Sequence, residues 1–190
     1  FQWMLDPDGD PETDDAPDVV SNAWGLVGAP NLCEREFEAD MQALRAADIA
    51  VVVSAGNAGP DAATSLSPAN YAGVLSVGAV DEATAVADFS SRGPSACDGT
   101  TFPRIAAPGV NLRTADLTFG GLIRNPYMDV AGTSYAAAQV AGGIALLKSG
   151  QPQATASQLE AAILDSGSDL APIGVDNDSG HGLVDLPAAY

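Results

Sequence analysis

A single lysine, Lys148, and six arginines are the only permanently charged cations in 190 residues, against 25 Asp and Glu, which leaves a formal net charge of −18. Nucleic acid is thereby excluded as a partner, because phosphate binding needs clustered cations. Cysteine is almost as scarce: Cys33 and Cys97 cannot frame a disulfide-built domain, and they lack the C-x-x-C spacing of zinc or redox sites. One bridge and two free thiols are both open. The sole histidine, His181, stands in the glycine-flanked run Ser179-Gly180-His181-Gly182, supports no metal cluster and reads as a loop residue. No apolar run approaches the roughly 18 residues of a membrane span, so no membrane is expected as a partner. The opening Phe1-Gln2-Trp3-Met4-Leu5-Asp6 has no basic stretch ahead of an apolar one, as a targeting segment would. It also lacks an initiator methionine, which suggests a start inside a longer protein.

What the chain does have is enough apolar residues, 46%, with only 17% charged, to build one domain around a core. Seven acids (Asp6, Asp8, Asp10, Glu12, Asp14, Asp15, Asp18) crowd into the segment 6–18. The remaining 18 acids still outnumber the 7 cations. Such a surface stays soluble through self-repulsion and is best tolerated where salt screens it, in a saline or extracellular setting.

Residues 6–18 are rich in Asp, Pro and Gly and read as a loop or surface insertion. Its alternating carboxylates also resemble a calcium loop, although the twelfth residue from Asp6 is Pro17, not the bidentate Glu of an EF-hand. Val19-Val20 then predicts a short strand turning at Asn22-Ala23-Trp24-Gly25. The spacing of Phe37, Met41 and Leu44 predicts an amphipathic helix over 36–47. Ile49 to Val53 and Val74 to Val80 are continuous apolar runs, as strands buried on both faces are. Weaker strands are expected near Ala87 to Ser90, Arg104 to Ala106 and Val110 to Thr114. Residues 134–147 are apolar nearly all round and predict a core helix. A last helix fits 155–165, with Thr155 as its N-cap. Helices alternating with buried strands imply an α/β fold with a mainly parallel sheet, whose sites gather beyond the carboxyl ends of strands.

Two segments there could carry chemistry. Ser54-Ala55-Gly56-Asn57-Ala58-Gly59-Pro60 follows the strand 49–53 and could be a plain turn. Asn57 could equally project its amide as a donor to a developing oxyanion. Gly132-Thr133-Ser134 opens the core helix; Ser134 could be an N-cap, or a nucleophile at the positive end of a helix.

An ordered series of motifs brings these together. Asp18-Val19-Val20-Ser21-Asn22-Ala23-Trp24-Gly25, Val51-Val52-Val53-Ser54-Ala55-Gly56-Asn57 and Val77-Gly78-Ala79-Val80 come first. Phe89-Ser90-Ser91-Arg92-Gly93-Pro94, Ala107-Pro108-Gly109, Gly132-Thr133-Ser134 with Val140-Ala141-Gly142, and Gly180-His181-Gly182-Leu183-Val184-Asp185 follow. In this order, over residues 18–187, the chain resembles the subtilisin-like serine peptidases, and its opening and Asn22-Ala23-Trp24-Gly25 turn look most like the bacillopeptidase F type. The resemblance implies a three-layer fold, a parallel sheet flanked by helices. It implies Ser134 as nucleophile and Asn57 with the Ser134 N–H as oxyanion donors. It also implies that Ala23, Trp24 and Gly25 form the edge an extended peptide joins by strand addition. Ser54, Ala55 and Gly56 would line the opposite wall of the P1 pocket, which takes the side chain on the acyl side of the scissile bond. Leu66 would narrow its floor.

The chain departs from the family pattern at Tyr135, Ala138 and Gln139, where Met, Pro and His are usual. More consequentially, the family's catalytic Asp and His motifs, which precede this region, do not occur here. The resemblance therefore implies that residues 1–190 are the C-terminal portion of a peptidase domain whose N-terminal part is missing, and whose upstream part is a partner along with protein or peptide substrates. The expected activity is serine endopeptidase, extracellular, with no required cofactor or metal; calcium at the acidic loop is the one candidate. The rival expectation is a non-catalytic relative serving as a binding or interaction module.

Overall fold

The computed structural model describes residues 1–28 and 30–190. Four parallel strands form the central sheet in the order β1 (Val19–Asn22), β2 (Ala50–Ser54), β3 (Leu75–Val80) and β4 (Ile105–Pro108). β2 and β3 are buried throughout, because both faces of the sheet are covered. Alternate residues serve opposite layers: Ala50 and Val52 face one apolar cluster, Val51 and Val53 the other.

The first layer is built on helix α3 (Thr133–Gly150) and helix α4 (Ala156–Asp165). α3 crosses all four strands, and its buried Val140, Ile144 and Leu147 contribute about 1.5–3 kcal/mol each. α4 opens with the expected Thr155 cap, reinforced as a capping box by Gln158. The second layer holds a short helix α1 (Gln2–Leu5) and helix α2 (Glu38–Ala46), whose Met41 and Leu44 enter the core as the heptad spacing predicts. An ion pair from one nitrogen, Nη1, of Arg45 in α2 to both carboxylate oxygens of buried Glu160 in α4, at 2.7 and 2.9 Å, ties the two layers together. A four-residue helix α5 (Leu186–Ala189) ends the chain.

Two sequence expectations need correction. Ala87 to Ser90 is not a strand; Val86 makes one bridge to Val80, and the chain then turns so that the buried Ser90 hydroxyl accepts from the Ala79 N–H. The stretch from Val110 leads into an antiparallel hairpin, β5 (Leu112–Ala115) with β6 (Tyr127–Val130). β6 had no signal in the sequence, because it is exposed except at Val130 and buries no face that could impose a period of two. The cysteines, left open by the sequence, form a Cys33–Cys97 disulfide. Among the described residues no helix is long and apolar enough to cross a membrane.

Candidate active site

β2 ends at Ser54, and the chain must turn at once over the sheet edge. Gly56 makes this possible: its φ is +106°, and a Cβ there would collide with Leu66 Cδ1. Beyond it the loop is held by Ser91, whose hydroxyl accepts from the Ala58 N–H at 3.1 Å while its own N–H donates to the Gly56 carbonyl at 2.9 Å. Asn57 is thereby placed over the first turn of α3.

That first turn has N–H groups with no intrahelical acceptor. Asn57 Oδ1 takes two donors there, the Thr133 N–H at 3.1 Å and the Thr133 hydroxyl at 2.9 Å. Thr133 Oγ1 in turn accepts from the Gly56 N–H at 3.2 Å. The amide of Asn57 is therefore fixed by its oxygen, and its Nδ2 has no acceptor among the described residues. Gly132, at φ +151°, lets the chain enter α3 close to that nitrogen.

Ser134 is the second residue of α3 and not its cap; the N-cap is Gly132, with no side-chain bond. Its Oγ instead donates across 3.2 Å to the carbonyl of Ala23, just past the end of edge strand β1. The Ser134 N–H lies in the first helical turn, pointing out of the helix with the positive end of the dipole. The Ser134 hydroxyl and N–H, the Asn57 amide nitrogen and the chain just past β1 thus belong to residues that line one cavity, and neither nitrogen has an acceptor among the described residues. Such N–H donors suit a negative charge developing on an oxygen of a carbon to which Ser134 Oγ bonds.

Beside Ser134 lies a cavity of about 250 Å³. Ala23, Trp24, Gly25, Ser54, Gly56, Asn57, Leu66 and Ser134 line it, together with Val27, Ala58 and Thr133. The structure thus brings together every site residue expected from the sequence except Ala55, which is fully buried in the α2-side cluster. Trp24 is braced from outside the cavity by Phe37, edge-on at 5.1 Å, and by Phe1 at 6.3 Å. Among the described residues no charged side chain lines the cavity. Nor does any His, Asp or Glu, so Ser134 has an acceptor for its proton but no base among the described residues that wall it.

Larger cavities lie elsewhere, at about 450 and 460 Å³, and neither includes Ser134. His181 lines the first of these, with its N–H on the Arg104 carbonyl. It shares no wall residue with the cavity at Ser134. In the acidic loop, Asp6, Asp8 and Asp15 each bring a carboxylate oxygen within 4.8 Å of the others. The loop also closes on itself, with the Asp8 N–H on Asp15 and the Thr13 hydroxyl on Asp8.

Sequence reasoning missed Thr133 and Ser91 as supports of Asn57, although both stand inside motifs it singled out. A hydroxyl at the first helical residue was the available signal. What it bonds to, 76 residues away in sequence, was not.

The family model described as the subtilase family matches residues 2–182. Bacillopeptidase F of Bacillus subtilis is 37% identical over 197 residues, covering 96% of this chain and 13% of that protein. The subtilisin-like protease PopC of Myxococcus xanthus is 32% identical, with 97% and 39% covered, and the thermostable alkaline protease of Halalkalibacterium halodurans 38% identical, with 73% and 33% covered. The chain thus spans less than half the length of these relatives. Among solved structures, the prenylagaramide maturation protease PagA superposes with a TM-score of 0.75 at 24% identity, over 90% of this chain and 60% of that one. A mutant of the protease domain of PatA gives 0.72 at 22%, over 90% and 58%. At these identities the two structures speak for the fold alone.

Proposed function

The chain belongs to the subtilase family, and from that premise we propose that it is the nucleophile-bearing portion of a serine endopeptidase domain. Ser134 Oγ attacks the scissile carbonyl carbon, and its proton passes to a histidine supplied, with an orienting aspartate, by the upstream part of the same domain. Asn57 Nδ2 and the Ser134 N–H hold the oxyanion. Collapse of that intermediate, with the histidine giving its proton to the departing nitrogen, releases the amine and leaves an acyl group on Ser134, which water removes. All of these groups belong to the protein, so the chemistry needs no cofactor. The single observation that carries the reading is the Asn57 amide, fixed through its oxygen by Thr133, its nitrogen without an acceptor among the described residues, in the same cavity that Ser134 lines.

The substrate is an extended peptide running along Ala23–Gly25, with main-chain bonds giving most of the affinity. An uncharged P1 side chain is favoured, because the described residues that line the cavity carry no charge and apolar Leu66 is among them. An extracellular site of action agrees with the disulfide, which persists in oxidising compartments.

The test compares the full-length protein with residues 1–190 alone, in casein cleavage and in labelling by a serine-directed phosphonate. The full-length protein is expected to do both and the isolated portion neither, since a serine hydroxyl with no base to take its proton attacks an amide negligibly at neutral pH. Sustained, Ser134-dependent cleavage by residues 1–190 would mean that another group acts as base. A full-length protein that folds and binds peptides but neither cleaves nor labels would establish the binding-module alternative.

Thr133→Val should lower kcat of the full-length enzyme about tenfold, the equivalent of one hydrogen bond of ~1.4 kcal/mol, with KM little changed. Thr133→Ser should restore most of it, because the hydroxyl and not the methyl bonds Asn57. Equal loss in both variants would make Thr133 a packing residue.

A further inference from the structure

Leu66 lines the cavity at Ser134, and what holds Leu66 lies outside the cavity. The segment Ser65-Leu66-Ser67 is almost wholly buried and runs between two loops. On one side the Leu26 N–H donates to the Ser67 carbonyl and the Asn31 N–H to the Ser65 carbonyl, both at 2.9 Å. The Glu34 N–H donates to Ser67 Oγ at 3.0 Å. On the other side the Ala96 N–H donates to Ser65 Oγ at 3.0 Å, and Ser95 Oγ donates to the Asn70 carbonyl at 2.9 Å.

Asn70 spans both. Its Oδ1 accepts from Ser67 Oγ at 2.8 Å and touches Cys97 Sγ at 3.4 Å, and its Nδ2 donates to the Leu32 carbonyl at 3.0 Å. The bridged sulfur has no proton, so that last sulfur contact is packing. Tyr71 adds a bond from its phenol to the Glu34 carbonyl, and burial raises its pKa, keeping it a donor. The Cys33–Cys97 disulfide joins the two outer loops to each other across this segment, closing a ring around it.

Among the described residues neither outer loop has regular structure, and Cys97 alone of their side chains packs against the core. Their hold on Ser65 and Ser67 rests on single hydrogen bonds, each worth only about 1 kcal/mol net. The covalent link makes those bonds cooperative, since neither loop can leave alone.

We infer that the Cys33–Cys97 disulfide is a positioning element of the P1 pocket, fixing Leu66 against Gly25 and Gly56 and thereby setting which P1 side chains are accepted. Its effect on specificity rests on the endopeptidase reading; its effect on the segment does not. An open disulfide frees the two loops, lets Leu66 withdraw and widens the pocket. It leaves the nucleophile and oxyanion donors in place, because these are held by Thr133 and Ser91 and not by the ring.

The experiment has two readouts on the full-length protein, oxidised, reduced with a phosphine, and as Cys33→Ser/Cys97→Ser. Hydrogen exchange at the amides of Leu26, Asn31, Glu34 and Ala96 should quicken about tenfold or more on opening the bridge, while amides of β2 and β3 stay protected. In turnover, the preference in kcat/KM between peptides with Leu and with Phe at P1 should shrink about tenfold, through KM, since a pocket misfit of this size is worth 10-fold or more. Labelling of Ser134 by a small phosphonate without a P1 group should not change. If the double variant does not fold, reduction of the folded wild type decides.

Unchanged exchange at the four amides overturns the inference, and does so even if the protein proves not to be a peptidase. An unchanged P1 preference, or loss of phosphonate labelling in parallel with turnover, overturns it equally, because the bridge would then be a general staple.

Discussion

Ser134→Ala in the full-length protein is expected to reduce kcat about 10⁶-fold while leaving the fold intact, a magnitude that rests on the corresponding loss in subtilisin itself. The large size follows from what is removed. The acyl-enzyme route needs an oxygen at this position, and no other hydroxyl among the residues lining the cavity stands at the same helix N-terminus with its oxygen directed at the Ala23 edge. Structurally the change is slight. The hydroxyl is half-buried and makes one 3.2 Å bond, to a carbonyl just past the end of an edge strand, so its loss should cost no more than about 1 kcal/mol of stability. The measurement is steady-state cleavage of a peptide together with phosphonate labelling and thermal unfolding. Labelling that persists in the alanine variant would remove Ser134 from the role.

Asn57→Leu is expected to lower kcat by about 10²–10³ with KM nearly unchanged, again a magnitude taken from subtilisin. The physical reason is that Nδ2, with no acceptor among the described residues, would gain a protein-bound one only as charge develops on the carbonyl oxygen. Leucine also removes the Oδ1 that caps the Thr133 N–H, at a cost of about 1 kcal/mol of stability. Asn57→Asp separates the two effects. It keeps an oxygen for Thr133 but presents a second oxygen to the oxyanion, so stability should be regained while kcat stays at least as low as in the leucine variant. An aspartate variant with near-normal kcat would reduce Asn57 to a helix cap. A fall in ground-state peptide binding equal to the fall in kcat would do the same.

The parts of the fold that were legible in the sequence are those where burial imposed a pattern. The continuous apolar runs became β2 and β3 because the sheet is covered on both faces, and Met41 and Leu44 marked the inward stripe of α2. Thr155 showed its capping role because a cap bonds only to its own helix, three residues on. β6 failed the same test, since an exposed hairpin strand has no face to bury. The strand expected at Ala87 to Ser90 failed for a different reason: its apolar residues pack from a turn, with Ala87 buried against the sheet without extending it.

At the site, the residue types and their order along the chain determined that Ser134 and Asn57 were candidates, while Leu66 entered only through the family resemblance. Chain order also carried the subtilase resemblance, because a motif series is itself a linear property. What only the tertiary structure decided is which groups are committed and which are free. Asn57 Oδ1 is engaged by Thr133, its Nδ2 is not, Ser134 Oγ faces the Ala23 carbonyl, and Cys33 is bridged to Cys97 around Ser65–Asn70. These pairings join residues separated by 64 to 111 positions, and hydrogen bonds and disulfides depend on distance and angle in space, which no local pattern of residue types encodes.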